Sequence, residues 1–181
     1  RRALLIYAQS APLLLETPEK IDAAALHKTA NLFQDFGENY HERKLEEAHI
    51  FPAVRKAGAA GVVDVLIAQH ERGRAITRYI MDATVSGRIA TGDAQPLAHA
   101  LQSFALMYEN HAAREDTIIF PAWKTTLSGD QLHELGEQFE EIEREQFGSD
   151  GFDDAVKQIG DVEQALGFGD LNRFTAPPPP R

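Results

Sequence analysis

Apolar residues recur along this chain at the three- and four-residue steps of helices that bury one face. The first run, RALLIYAQSAPLLL (residues 2–15), reads as a helix that ends or kinks near Pro12, which cannot continue the hydrogen-bond ladder. Thr17 then offers an N-cap, with Pro18 at the first helical position. The helix it opens runs to about Ala57, marked by Leu26, Ala30, Phe33, Phe36 and Tyr40, and Gly58 supplies its stop. A third helix spans about Ala59 to Ser86, with Val63, Leu66, His70, Thr77 and Ile80 near one face and Gly87 at its close. SGRIATGD connects it to a fourth, from about Asp93 to Thr126, whose stripe is Leu97, Leu101, Phe104, Tyr108, Ile118 and Ile119. Ser128 is the cap expected for a fifth helix, to about Phe147. GSDGFDD reads as a turn, and a short helix from about Phe152 to Leu166 follows. The end, FTAPPPPR, cannot be helical and is expected to be extended or disordered.

No stretch has the alternation of a strand, so the chain is expected to be all-α. Long helices with short connections predict an up-down antiparallel four-helix bundle over residues 1–126. One or two appended helices follow over 127–167, then a proline-rich tail over 168–181.

The fourth helix carries the first sign of chemistry. Its apolar stripe, continued through YENHAAREDTIIFP, lands on His111 and Glu115, four residues apart and aimed into the core from one face. A buried Glu without a partner costs several kcal/mol, so something in the core must compensate it.

Composition narrows what that can be. The 181 residues suffice for one domain with a sizeable core, and 43% apolar content is ordinary for a globular chain. A formal charge of −10 argues against nucleic acid or an anionic membrane surface as partner, and no apolar run approaches a membrane span. The absence of cysteine excludes thiolate-bound zinc, thiolate-bound iron–sulfur clusters, disulfides and a cysteine nucleophile. The chain opens on Arg1 and Arg2, inside what already reads as a helix, so a fragment or processed chain is expected. The Arg pair lacks the long apolar stretch of an export signal, and a cytoplasmic chain is the expectation, with a leader removed upstream as the alternative.

An internal repeat extends the picture. EEAHIFP (residues 46–52) and EDTIIFP (115–121) share two acidic residues, two spacers and Ile-Phe-Pro, each late in a long helix. The chain thus reads as two copies of a helix pair. In the second copy the leading helix carries His70 within QHERGRAITRYI, matched in the first by RRALLIY, so the counterpart of His70 would fall about four residues before Arg1.

The candidate ligands are His70 from one helix, His111 and Glu115 from another, and YHERKLEE from a third. Imidazole and carboxylate without thiolate suit iron, manganese or zinc. The first copy is less regular: His41 and Glu46 stand five apart, Glu42 and Glu46 four apart. Either Glu42 takes the slot that His111 holds in the second copy, or a π-bulge turns both His41 and Glu46 inward. His27, His49, His99 and His133 lack a matched partner and read as surface or capping residues. Tyr40, Tyr108, Phe36 and Phe104 read as core packing, and Glu137 to Glu145 as a solvated helix face.

HAAREDTIIFP, AQHERGR and YHERKLEEAHIFP together resemble the hemerythrin-like, HHE-type cation-binding domain over about residues 1–126. That resemblance implies a non-haem di-iron centre bridged by two carboxylates. Matching motifs carry over His70, His111 and Glu115 as ligands and Glu46 as the second bridging carboxylate. The family's N-terminal histidine has no counterpart here and the first-copy histidine is offset by one, which leaves room for one ion in place of two. Three functions are consistent with this: a module that binds or senses oxygen, nitric oxide or peroxide, an enzyme acting on peroxide or nitric oxide or in iron–sulfur repair, and a bundle with a degenerate site. The acidic fifth helix and the tail are expected either to pack on the bundle or to mediate self-association.

Overall fold

The computed structural model describes residues 1–90, 92–148 and 151–180. Helices dominate, and no strand occurs among the described residues. Helix α1 (Arg2–Glu16) continues past Pro12 and so does not end there. Pro12 faces solvent, while Ala11 and Leu14 on either side of it are buried, so packing holds the last turn in place of the lost hydrogen bond.

The next helix also begins elsewhere than expected. Pro18–Lys20 form only a 3-10 turn, and Thr17 makes no cap with its side chain. Asp22 caps instead, its carboxylate accepting from the Ala24 and Ala25 amides at 2.9 and 3.1 Å.

From there helix α2 runs over residues 23–57, up to a kink at Gly58, but it is not uniform. It is α-helical over Ala23–Leu32, π-helical with i→i+5 bonds over Phe33–Ile50, α-helical over Phe51–Val54, and wide again over Arg55–Ala59. Gly58 there takes φ 105°, which glycine alone adopts freely, and turns the chain into α3 (Ala60–Thr84). Helix α4 (residues 94–125) repeats the device: α-helix over Ala94–Arg114, a π-turn over Glu115–Ile119, α-helix over Phe120–Thr125. In both repeats the wide turns end just before Phe-Pro. Proline has no amide to donate and its ring crowds the carbonyl four residues back; a widened turn relieves both.

Helix α5 (Gly129–Phe147) starts at the expected Ser128, which forms a capping box with Gln131. The turn expected at GSDGFDD is shorter than its sequence implied. Gly148 ends α5 with φ 87°, residues 149–150 lie outside the described residues, and α6 (Gly151–Ala165) has already begun, with Asp153 and Asp154 at its positive end. The SGRIATGD connection likewise includes residue 91, and the tail residue 181, outside the described residues. A 3-10 turn at Leu171–Phe174 precedes an extended proline tail.

Packing explains where the chemistry sits. α1 lies chiefly against α4, and α2 against α3, with α3 and α4 also in contact. The apolar core is split in two. Leu4, Tyr7, Leu14, Leu26, Ile80, Leu97, Leu101 and Phe104 form one cluster; Ile50, Phe51, Val54, Val63, Leu66, Ile119 and Trp123 form the other. On α3 the residues between the clusters are His70, Arg74 and Thr77, and on α4 they are His111 and Glu115, all buried. α5 buries no residue fully; it docks through Phe139 stacked on Trp123 and through Glu143, which accepts from the Tyr40 hydroxyl at 3.2 Å. The stretch of α5 expected to be a solvated face therefore has Phe139 and, of its acidic residues, Glu143 engaged with the bundle. Among the described residues no helix is long and apolar enough to cross a membrane.

Candidate metal centre

Three helices bring their polar residues to one point between the two apolar clusters. On α3, His70 continues the line of Leu66 and Ile80 and is fully buried. On α4, His111 and Glu115 are one turn apart, with His111 Nε2 2.8 Å from Glu115 Oε1. On α2, Glu46 is 1% exposed. Ligand atoms of Glu46, His70, His111 and Glu115 all lie within 4.8 Å of one another. The His70 and His111 Nε2 atoms stand 3.1 Å apart.

The other ring nitrogens explain how these imidazoles are oriented. His70 Nδ1 donates to Glu47 Oε1 at 2.9 Å, and His111 Nδ1 donates to Gln69 Oε1 at 2.9 Å. Each Nδ1 therefore carries a proton, and in the neutral rings each Nε2 presents a lone pair to the cavity. Two lone pairs at 3.1 Å require a proton or a cation between them. Phe51 stacks on the His70 ring at 5.4 Å and closes one side.

The wide helix expected as one of two alternatives is present on α2, but it turns only Glu46 fully inward. A step of five in an i→i+5 helix returns the side chain to nearly the same face. His41 Nε2 stands 3.0 Å from Glu46 Oε1, while Glu46 Oε2 faces His70 Nε2 at 3.4 Å. His41 itself is at the mouth, its side chain 47% exposed, and lies outside the group of four. Glu42 is buried as well but engaged elsewhere. It accepts from the Arg74 guanidinium at 2.9 Å and from the Tyr108 hydroxyl at 2.6 Å. With Glu47 and His70 it makes a second ligand-rich group, bridged by Arg74, which also donates to Glu47 at 2.9 Å.

The electrostatics follow from this crowding. Burial pushes the Glu46 carboxyl up, but His41 and His70 outweigh it and draw its pKa down to about 2. Burial draws the His41 imidazole down, and its contact with Glu46 more than reverses this, holding it at about 8. Burial likewise works against a charged His70, yet Glu46 and the neighbouring Glu42 and Glu47 keep its pKa raised. Glu115 is pushed up by burial, and Glu46 adds to the shift. Both oxygens of Glu46 and Oε1 of Glu115 are buried and make no regular hydrogen bond, facing imidazole nitrogens instead. Two orphaned carboxylates facing two imidazole lone pairs fit a divalent cation.

Several contributors escaped the sequence reading. Tyr108, expected as core packing, hydrogen-bonds Glu42. It reaches there because Gly73 has no side chain; a Cβ at that position would collide with the Tyr108 hydroxyl. Gln69 and Glu47, which orient the imidazoles, carry no periodic signal. Glu38 lines the same cavity, buried, with Oε1 unpartnered and its pKa raised by burial. Its place one turn before Glu42 on the inner face was the available clue. The unmatched histidines stay apart: His27 pairs with Thr84 at 3.0 Å, His49 lies on Phe139, and His99 and His133 are exposed.

Comparison with known proteins adds a family. The hemerythrin HHE cation-binding domain profile matches residues 6–123. An uncharacterized protein of Mycobacterium bovis and one of Mycobacterium tuberculosis are each 36% identical over 177 residues, covering 97% of this chain and 69% of the relative. No solved structure matches the chain.

Proposed function

The chain belongs to the hemerythrin HHE cation-binding family, and from that premise we propose that it is a non-haem di-iron protein that binds or senses oxygen, nitric oxide or peroxide. The centre would lie in an up-down four-helix bundle formed by α1 to α4. The observation that carries this reading is the set of orphaned carboxylate oxygens on Glu46 and Glu115 beside two imidazole lone pairs.

Each residue has a part. Glu46 presents one oxygen to His41 and the other to His70, the disposition of a carboxylate shared between two cations. His70, His111 and Glu115 would hold one ion, with His41 and Glu46 reaching the other. Glu47 and Gln69 fix the imidazoles through their second nitrogens. Arg74 neutralises Glu42, and Phe51 excludes water from His70. When bound, an iron pair supplies a redox-active Lewis acid with room for a small ligand. Glu38 favours a second reading, turnover of peroxide or nitric oxide. A carboxyl whose pKa is raised by burial, lining the cavity, is a candidate proton donor to whatever binds there.

Iron reconstitution tests the first reading. The purified protein of full native length is expected to hold about two irons and to absorb in the near ultraviolet as an oxo-bridged pair, with both lost in Glu46→Ala. Protein that stays colourless and metal-free after reconstitution refutes it. Many turnovers with peroxide would favour the enzyme over the sensor.

A further inference from the structure

We propose that a groove between α1, α2 and α6 is an antechamber that takes up a small uncharged molecule, of the size and polarity of dioxygen or nitric oxide, and passes it to the metal cavity beside Gly37. Its destination rests on the metal reading above; the groove itself does not. The groove measures about 290 Å³ and is walled by Leu32, Phe33 and Phe36 of α2 and by Ala155, Val156 and Ile159 of α6. The inner cavity, about 170 Å³, contains Glu46, His70, His111 and Glu115. The two lie on either side of one edge, made by Arg1, Phe33, Gly37 and His41, which line both.

Gly37 has no local reason to be glycine. It sits inside α2 with no left-handed backbone, where glycine costs chain entropy and alanine is favoured. A Cβ there would meet only Phe33 Cδ1, at an ordinary 3.7 Å, so crowding does not demand glycine either. What the missing side chain leaves is free space at the junction of groove and cavity. Charge and polarity select what passes. The walls from α2 and α6 are apolar and solvate an ion poorly, charged groups enter the groove only at the shared edge as Arg1 and His41, and Glu46 and Glu115 in the inner cavity oppose an anion. A neutral diatomic meets neither barrier. The α6 wall lies outside residues 6–123, so the groove depends on a helix beyond the span that the family profile matches.

The test uses the full chain as wild type, Gly37→Leu and Gly37→Ala. Xenon, an apolar probe, is applied under pressure to metal-free protein and located in crystals or by amide shifts. It is expected beside residue 37 in the wild type and in Gly37→Ala, and to be excluded from Gly37→Leu. With iron loaded and its content verified as equal, stopped-flow association of nitric oxide is expected to fall about tenfold in Gly37→Leu, because entry then waits on helix motion. In Gly37→Ala it should stay within about twofold of the wild type. Absence of xenon from the groove, or unslowed association in Gly37→Leu after xenon has been displaced, overturns the proposal. A chain that takes up no iron overturns the metal reading instead, while the xenon result still decides whether the groove binds. Val156→Trp fills the groove from the α6 side and gives the same readouts should Gly37→Leu fail to fold.

Discussion

Gln69→Leu should weaken divalent-cation binding by about 10–100-fold while leaving the fold standing. Gln69 Oε1 accepts from His111 Nδ1 at 2.9 Å and so keeps the Nε2 lone pair aimed at the cavity. Leucine fills a similar volume but accepts nothing. The ring is then free to take the other tautomer, whose Nε2 proton finds Glu115 Oε1 waiting at 2.8 Å. A cation must first break that new hydrogen bond and move the proton away. A loss of 10–100-fold corresponds to about 1.4–2.8 kcal/mol of binding free energy. Without metal the cost is smaller. One half-buried neutral hydrogen bond is worth about 0.5–1.5 kcal/mol, and for a chain of this size each kcal/mol lowers the melting temperature by about 2–4 °C. Competition of cobalt(II) between the protein and a chromophoric chelator, alongside urea unfolding of the metal-free chain, separates the two effects. Unchanged cobalt affinity would refute the orienting role of Gln69. A loss far beyond 100-fold with stability intact would mean that residue 69 is itself a ligand.

Three further outcomes are expected. Chelating the metal should lower stability by about 2.7 kcal/mol when the free ion had stood at 100 times its dissociation constant, a drop of about 5–11 °C measurable by calorimetry. No change on chelation would mean that the cluster holds nothing. Phe104→Ala, at a site 1% exposed where the ring packs on Tyr7, Phe33 and Tyr108, should cost about 3–5 kcal/mol in urea unfolding. A cost under about 1 kcal/mol would contradict the packing described. Glu38→Gln bears on pH. Burial raises the Glu38 pKa in the folded chain, so above the ordinary carboxylate pKa the folded state holds more protons than the unfolded one and stability falls as pH rises through that window. The variant lacks this fall. The metal-free Glu38→Gln chain should therefore have a higher urea midpoint than the wild type at pH 7, with the gap narrowing at pH 4, and a gap that does not change with pH would refute the assignment.

Much of this molecule was written locally. Helix identity follows from apolar spacing, and Ser128, Gly58 and Gly87 act where their chemistry directs. His70, His111, Glu115 and Glu46 were legible because they stand where an apolar stripe demands apolar residues, and because EEAHIFP and EDTIIFP repeat one pattern. Local signals also misled. Pro12 did not end α1, because buried neighbours outweighed one lost hydrogen bond, and Thr17 lost the capping role to Asp22 once Pro18 entered a 3-10 turn.

The sequence by itself determined the helices, the polar interruption of their buried faces, and a cysteine-free donor set that only hard or borderline cations suit. Tertiary structure alone decided which charges answer one another. Arg74 went to Glu42 and Glu47, Tyr108 reached Glu42 over Gly73, and Glu46 was left facing only imidazoles, without an arginine or hydroxyl partner. The reason is that periodicity fixes which face of a helix a residue occupies, whereas neutralisation depends on distances between different helices, set by packing and by turns widened ahead of Pro52 and Pro121.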